Sequence, residues 1–470
     1  MIFNSAIFFW FFASFFTLFN FVFVDRKKII WLLIISSLIF YGTWNYNFIV
    51  LLVFSALADY LIAQRVEASN HDPVLKKRWL MLSIGLNLSI LAIFKYNNFI
   101  LQSVQSFVTM IGGDVSVPTL SILLPVGISF YTFQSMSYTI DVYRGDMKAH
   151  RGFPVFLATL SFFPQLVAGP ILRARQILPQ LVAMRAPTAL HIRMGLLLVM
   201  LGLLKKTTAD LMAGPVGVAF DGPKDVSTFE TWIGLLAFSA QLYGDFSGYS
   251  DIAIGVALMI GVYIPLNFNL PYFSTSPVDF WRRWHISLSS WLRDYLYISL
   301  GGSRNGKRAR NLFLTMLLAG LWHGAAWTFV VWGAYMGAIV VITQWFNDRS
   351  WLRRWLNTNN WGATIFKIAF THYLFVLSWP LFRGTDLASA WDMIITMHIP
   401  QATAVTAGAG IVMALVCIGL FLMHFVDALR LKYGDAFADR QWIFWPVLVL
   451  GFTLFFTVGD FGHDFIYFQF

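Results

Sequence analysis

The chain has one cysteine, Cys417, among 470 residues, and it lies inside an apolar run. A lone cysteine excludes an intrachain disulfide and any CxxC metal or redox site, so Cys417 is expected to serve packing. Charge is also scarce. Asp, Glu, Lys and Arg make up 12% of the residues and hydrophobic types 58%, whereas soluble domains carry charge on about a quarter of their residues. Water is therefore excluded as the main solvent of the fold. The missing acidic charge leaves a net +10, but the cations fall in short clusters beside apolar runs instead of one stripe. No nucleic-acid motif accompanies them, which argues against nucleic-acid binding. No HxxxH, HExxH or carboxylate cluster is present, so no metal site is expected. No GxSxG nucleophile elbow occurs either.

What is present is a succession of apolar runs. A bilayer core about 30 Å thick takes roughly 20 residues per helical crossing, giving room for about ten to thirteen transmembrane or re-entrant pieces in one membrane domain, residues 1–470. The segment Met1 to Val24 lacks a basic leader and a small-residue cleavage site and reads as a retained helix. Its flanking Arg26, Lys27 and Lys28 are expected on the cytoplasmic side. Ile29 to Trp44 and Tyr46 to Ala63 read as a hairpin turning at Asn45, and Trp79 to Phe94 as the next crossing. Asn97 to Ile111 is expected in the interface, and Thr119 to Val142 to return toward Arg144, Lys148 and Arg151. Phe156 to Leu172 is interrupted by Pro164 and Pro170, and Gly195 to Leu204 is too short to span, so re-entrant segments are expected there. Later apolar runs are Phe229 to Tyr243, Ile252 to Ile264, Leu312 to Phe346, Ile365 to Leu381, Ala404 to Val426 and Trp442 to Val458.

The 35 residues from Leu312 to Phe346 contain no Asp, Glu, Lys or Arg, and apart from Tyr335 their ionisable side chain is His323. Basic clusters before (Arg304 to Arg310) and after (Arg349 to Arg354) place both ends on the cytoplasmic side, so the run should be an uneven hairpin. The residues preceding His323 carry it roughly 17 Å inward at 1.5 Å per residue. Gly320 and Gly324 bracket it and permit close approach of backbone or substrate. An intramembrane histidine marks a substrate path or proton relay, and neutral imidazole is the usual proton acceptor. The structural alternative is a hydrogen bond across helices.

A second histidine, His285, falls in Asp279-Phe-Trp-Arg-Arg-Trp-His-Ile-Ser-Leu-Ser-Ser-Trp-Leu-Arg-Asp-Tyr-Leu-Tyr297. This segment has helical period, with Asp279 as a possible cap, and its Trp and Arg suit the headgroup layer or the floor of a cavity. Arg282, Arg283 and Arg293 have the guanidinium fork that binds phosphate. Gly301 to Arg308 lacks the ending of a P-loop and reads as a basic turn. Gln241 to Asp251 interrupts two apolar runs with Asp245, Ser247 and Asp251. A broken helix lining a cavity would let these side chains position a substrate or orient His323, and a surface loop is the alternative. Asp141 should pair with Arg144 at a helix end, and Arg173 and Arg175 should sit at a cytoplasmic mouth. His372, His424 and His463 read as packing or interface residues.

These strings resemble the membrane-bound O-acyltransferase family, specifically its bacterial branch that acetylates polysaccharides such as alginate and cellulose. The resemblance runs over nearly the whole chain. It is carried by Leu124-Pro-Val-Gly-Ile-Ser-Phe-Tyr131, Ser137 to Gly145, Phe163-Pro-Gln-Leu-Val-Ala-Gly-Pro170, Gln241 to Asp251, Asp279 to Tyr297 and Gly320 to Ala325. It implies an all-α polytopic membrane protein of the bacterial inner membrane, with a ring of helices around a tunnel. His323 would be the catalytic base and His285 the second signature residue, stabilising an oxyanion or holding the donor. Arg282, Arg283 and Arg293 would take the donor's phosphates, and Asp245, Ser247, Asp251 and Trp322 would position substrate. No bound cofactor is implied. The donor would be acetyl-CoA or another acetyl thioester, and the partners a periplasmic acetyltransferase and other subunits of a polysaccharide-synthesis complex. From the residues alone two rivals stay open: a transporter or proton-relay channel component of an export complex, and a structural scaffold for one.

Overall fold

Apolar runs in lipid must satisfy their own backbone groups, and helices do so within one segment. The computed structural model describes residues 1–22, 25–114, 116–118, 122–222, 226–349, 360–400, 408–459 and 465–466. Among these residues it is all-helical, with no strand. The chain is a multi-pass membrane protein. Among the described residues seven helical stretches are long and apolar enough to cross a bilayer: Arg26–Asn45, Asn47–Ala68, Pro73–Met110, Trp327–Asn347, Trp361–Arg383, Ala409–Asp439 and Gln441–Val458. Packing divides the chain into two units, residues 1–191 with 256–264, and residues 192–255 with 265–470. His463 and residues 350–354 of the second basic cluster lie outside the described residues.

In the first unit, α1 (Ala6–Val22) and α2 (Arg26–Asn45) precede α3 (Asn47–Ala68). Asp25 and Asp72 cap α2 and α4 (Pro73–Leu91), each carboxylate accepting from backbone N–H groups of the first turn. The expected break between Trp79–Phe94 and an interfacial Asn97–Ile111 is absent. A π-turn at Ala92–Tyr96 carries α4 into α5 (Asn97–Met110), giving one 38-residue rod. A π-turn inserts a residue without ending a helix. Then follows α6 (Ile128–Arg144), and after it α7 (Phe153–Leu160), α8 (Phe163–Leu166) and α9 (Ala174–Val182), short pieces that each contain a proline. Asp141, expected to pair with Arg144, is buried with its Oδ2 3.7 Å from Arg175 Nε.

In the second unit Gly195 to Leu204 is part of a longer helix than its apolar run. The segment belongs to α10 (Ala189–Leu211), 23 residues long, which continues through Lys205 and Lys206. The interruption expected at Gln241 to Asp251 is likewise absent, because α12 (Thr228–Met259) runs unbroken for 32 residues after the short α11 (Ala213–Phe220). The continuity of the two helices has one cause. Lys205 Nζ lies 2.6 Å from Asp251 Oδ2 and 2.6 Å from Asp427 Oδ1, and Lys206 Nζ lies 2.8 Å from Asp245 Oδ1. Charges that would end an isolated apolar helix compensate one another across helices. Glycine makes the approach possible: a Cβ on Gly248 would come 2.6 Å from the Gly202 carbonyl oxygen.

The remaining helices are α13 (Pro277–Arg283), α14 (Ile286–Trp291), α15 (Arg308–His323), α16 (Trp327–Asn347), α17 (Trp361–Val376), α18 (Trp379–Arg383), α19 (Leu387–Thr396), α20 (Ala409–Asp439) and α21 (Gln441–Val458). The turn before α15 places Gly301, Gly302 and Gly306 at positive φ. Cys417 lies exposed on α20 among Leu415, Ile418 and Phe421, and not in packing as expected. In lipid an apolar residue gains little by facing inward, so its apolar surroundings did not mark an interior position.

Candidate active site

His323 is the last residue of α15, and the turn to α16 that follows it forms the expected hairpin. Glycine sets this turn. A Cβ on Gly320 would sit 2.3 Å from the Phe329 carbonyl oxygen, and one on Gly324 2.0 Å from the Phe329 ring. Both contacts are intramolecular, so of the two approaches the sequence allowed, these glycines serve that of backbone and side chain. Gly320→Val is expected to destabilise the protein by about 1–3 kcal/mol through overpacking. The same thermal melt on Gly85→Ala should show no loss, since a Cβ at Gly85 meets nothing within 4 Å. Equal melting of Gly320→Val and wild type would refute this packing role.

His323 is buried, 6% exposed, and its ring meets aromatic faces on several sides. Trp322 lies at a centroid separation of 5.0 Å, Trp332 at 5.2 Å and Phe382 at 5.3 Å, the last from α18. Leu242, Phe280, Trp281, Trp284, Phe375 and Trp379 join Trp332 and Phe382 in lining a cavity of about 10 Å³ beside the imidazole. That is room for about one water molecule. The Trp332 indole donates to Ser378 Oγ at 3.2 Å and the Trp379 indole to Ser239 Oγ at 2.7 Å, fixing two walls of the box.

His285 does not lie within one helix, as its periodicity had suggested. Its backbone adopts φ +43° and ψ 56°, a left-handed conformation between α13 and α14. A non-glycine residue held there costs of order 1–3 kcal/mol, and such strain persists only where surroundings impose it. Asn267 imposes it. The Asn267 carbonyl accepts the Ile286 N–H at 2.9 Å, and its Oδ1 accepts the Ser287 N–H at 3.1 Å, so neither amide continues the helix. The start of α13 is capped by Ser276 Oγ, which accepts the Asp279 N–H, so the expected cap at Asp279 shifts by three residues.

The same asparagine fixes the proton on His285. Because Ser287 N–H can only donate, the atom it meets must be the Asn267 oxygen, and His285 Nδ1, 3.2 Å from that oxygen, must be the donor. Asn267 Nδ2 in turn donates to Ser250 Oγ of α12 at 3.1 Å. His285 Nδ1 therefore carries a proton, and in the neutral imidazole that leaves the lone pair on Nε2. Phe246 presses edge-on against its ring at 4.7 Å, and Trp322 lies 6.2 Å away, so one indole flanks both histidines. Sequence reasoning missed Asn267. The signal available was an asparagine with Asn269 in an otherwise apolar stretch, but its partners lie 17 to 20 residues away.

The other expected site residues take different places. Asp245 and Asp251 face the α10 lysines: Asp245 also accepts the Ile466 N–H at 2.6 Å, and Asp251 Oδ1 lies 3.4 Å from Arg430. Ser247 is buried. Lys205, Lys206, Asp427 and Arg430, which the sequence reading passed over, complete this layer, and Tyr243 donates to Asp427. Arg283 pairs with Asp279 at 3.0 Å and Arg293 with Asp294 at 2.6 Å, while Arg282 is exposed. His424, read as a packing residue, is buried with its ring 4.3 Å from Tyr243 and its Nδ1 3.1 Å from the Leu420 carbonyl, and the His372 ring lies 4.6 Å from that of Tyr272.

A strained, buried histidine of defined tautomer and a second histidine share an aromatic box in a membrane protein, an arrangement suited to proton transfer away from water. A family model, "MBOAT, membrane-bound O-acyltransferase family", matches residues 147–378, and the chain belongs to this family of membrane acyltransferases, in its polysaccharide O-acetylation branch. Two relatives named "Probable alginate O-acetylase AlgI" resemble it: that of Pseudomonas putida is 43% identical over 84% of this chain and 79% of its own length. That of Pseudomonas aeruginosa is 42% identical over 84% and 75%. The "Peptidoglycan O-acetyltransferase" of Helicobacter pylori is 34% identical over 77% and 72%.

Proposed function

We propose that this acyltransferase moves an acetyl group from a cytoplasmic thioester, acetyl-CoA, across the bacterial inner membrane toward an exopolysaccharide, through a periplasmic partner acetyltransferase that completes the transfer. Among the polymers the sequence left open, the names of the relatives favour alginate over cellulose. The observation that carries the reading is the pair of buried imidazoles flanking Trp322 in an apolar box. His323 takes the proton of an acceptor hydroxyl as its oxygen attacks the thioester carbonyl. The tetrahedral intermediate then expels the thiolate, which recovers that proton and leaves as the thiol. His285, in the neutral tautomer held by Asn267, offers an acceptor at Nε2. It is thus suited to hold a substrate hydroxyl or a site water, and less to donate to an oxyanion as first expected. Of the three arginines expected to receive the donor's phosphates, Arg282 is the best placed, since Arg283 and Arg293 already have carboxylate partners.

Proteoliposomes loaded with acetyl-CoA carrying a labelled acetyl group, with a hydroxyl acceptor and the partner enzyme outside, test the reading. Label should reach the external acceptor with thiol released inside. Passage of solute without thioester cleavage would instead establish the transporter alternative. In the same assay Asn267→Leu is expected to lower kcat by about 10–100-fold with the KM for donor little changed, since an orienting partner is lost. Asn267→Asp, which keeps an acceptor oxygen, should recover part of the rate. Full activity in Asn267→Leu would remove the tautomer argument.

A further inference from the structure

Among the described residues five aspartates are almost wholly buried: Asp59, Asp141, Asp245, Asp251 and Asp427. Four of them have a cation within ion-pair distance: Arg175 for Asp141, Lys206 for Asp245, and Lys205 for Asp251 and Asp427. Asp59 has none among the described residues, although it is 0% exposed in the middle of α3, one of the apolar crossing helices. A buried carboxylate without a compensating positive charge is strongly unfavourable.

What surrounds Asp59 is a shell of neutral oxygen donors. Ser83 Oγ donates to Asp59 Oδ1 at 2.5 Å, Ser135 Oγ donates to Oδ2, and Thr139 Oγ1 lies 3.4 Å from Oδ1. Asn87 Nδ2 donates to Oδ2 at 2.7 Å. These side chains come from α4 and α6, so three helices converge on one carboxylate. Each hydroxyl spends its hydrogen on Asp59 and retains lone pairs that can face a cation.

A second observation points to a ligand. The amide oxygen of Asn87 is buried, the residue being 0% exposed, and has no hydrogen-bond partner, although its amide nitrogen touches the carboxylate. Ser55 Oγ, one helical turn before Asp59 on α3, is also buried and unpartnered. Buried polar atoms are almost always satisfied, and a pair beside an uncompensated carboxylate calls for an explanation such as an ion. The Asn87 amide nitrogen also donates to the Ser83 carbonyl oxygen at 2.9 Å, so rotating the amide to offer its oxygen to an ion gives up both donations.

We propose that Asp59, Ser83, Asn87, Ser135 and Thr139 bind a sodium ion that ties α3, α4 and α6 together within the membrane. Oxygen ligands select a hard cation over transition metals. One carboxylate neutralises a monovalent ion, whereas a divalent ion would leave a buried net positive charge. The site belongs to the first unit and the histidine site to the second, and the proposal does not depend on the acetyl-transfer reading.

The test uses the full chain purified in detergent, with thermal unfolding followed as sodium chloride replaces choline chloride at constant total salt and pH. Sodium should raise the melting temperature saturably, by several degrees, with potassium less effective. Asp59→Asn should abolish the sodium response, and Ser135→Ala should shift its half-point to higher concentration. If Asp59→Asn fails to fold, the wild-type titration and Ser135→Ala still decide. Equal melting in sodium and choline overturns the proposal, as would an equal response to sodium and potassium. A wild type insensitive to sodium whose melting temperature falls as pH rises would show a proton in the ion's place.

Discussion

Replacing His323 by alanine is expected to lower acetyl transfer by about 10²–10⁴-fold, the range a positioned general base contributes. The residue closes α15 inside an aromatic box of Trp322, Trp332 and Phe382. Alanine removes the imidazole without adding bulk, and Gly320 and Gly324 continue to set the hairpin, so the variant should purify and melt close to wild type. Measured with labelled acetyl donor, the loss should fall mainly on kcat. Cells carrying the variant in place of wild type should secrete polymer depleted of acetyl by mass spectrometry. Retained activity in the purified variant would remove His323 from the chemistry. Intact polymer acetylation in cells would favour the scaffold reading.

Lys205→Met should be the most destabilising single substitution in the layer between α10, α12 and α20. Lys205 is 4% exposed, and its ammonium holds Asp251 and Asp427 at 2.6 Å each. Without it Arg430, 3.4 Å from Asp251 and 3.5 Å from Asp427, faces two buried carboxylates alone. Removing one partner of a buried pair costs about 3–5 kcal/mol because the remaining charge is stranded. The melting temperature should fall and part of the protein should aggregate on size-exclusion chromatography. Lys205→Met combined with Asp427→Asn should recover much of the loss, since it restores neutrality. A single variant melting within about a degree of wild type would contradict this role.

Several features were legible in the residue order. Scarce charge and long apolar runs specified lipid as solvent and helix as the spanning structure. A 35-residue run with no Asp, Glu, Lys or Arg singled out His323 and its hairpin. Misreadings arose where apolar runs were ended at charges. A linear reading ends the run Gly195 to Leu204 at Lys205 and divides α12 at Asp245 to Asp251, because it charges each ionic residue its full cost in lipid. Cross-helix pairing removes most of that cost, and it depends on residues up to 222 positions apart, as for Lys205 and Asp427.

The segment around His285 shows the same division at the site itself. Its Trp and Leu spacing fits a helix, and local periodicity could reveal nothing else. The left-handed turn at φ +43° is imposed by Asn267, which takes the amides of Ile286 and Ser287 and sets the imidazole tautomer. Composition and periodicity by themselves determined the solvent, the helical class and which histidine to suspect, because burial in lipid acts on each segment separately. Only the tertiary structure decided that the two histidines flank one indole, which tautomer His285 adopts and where the acidic residues of α12 find their charge, because these depend on hydrogen bonds and ion pairs between segments distant in sequence.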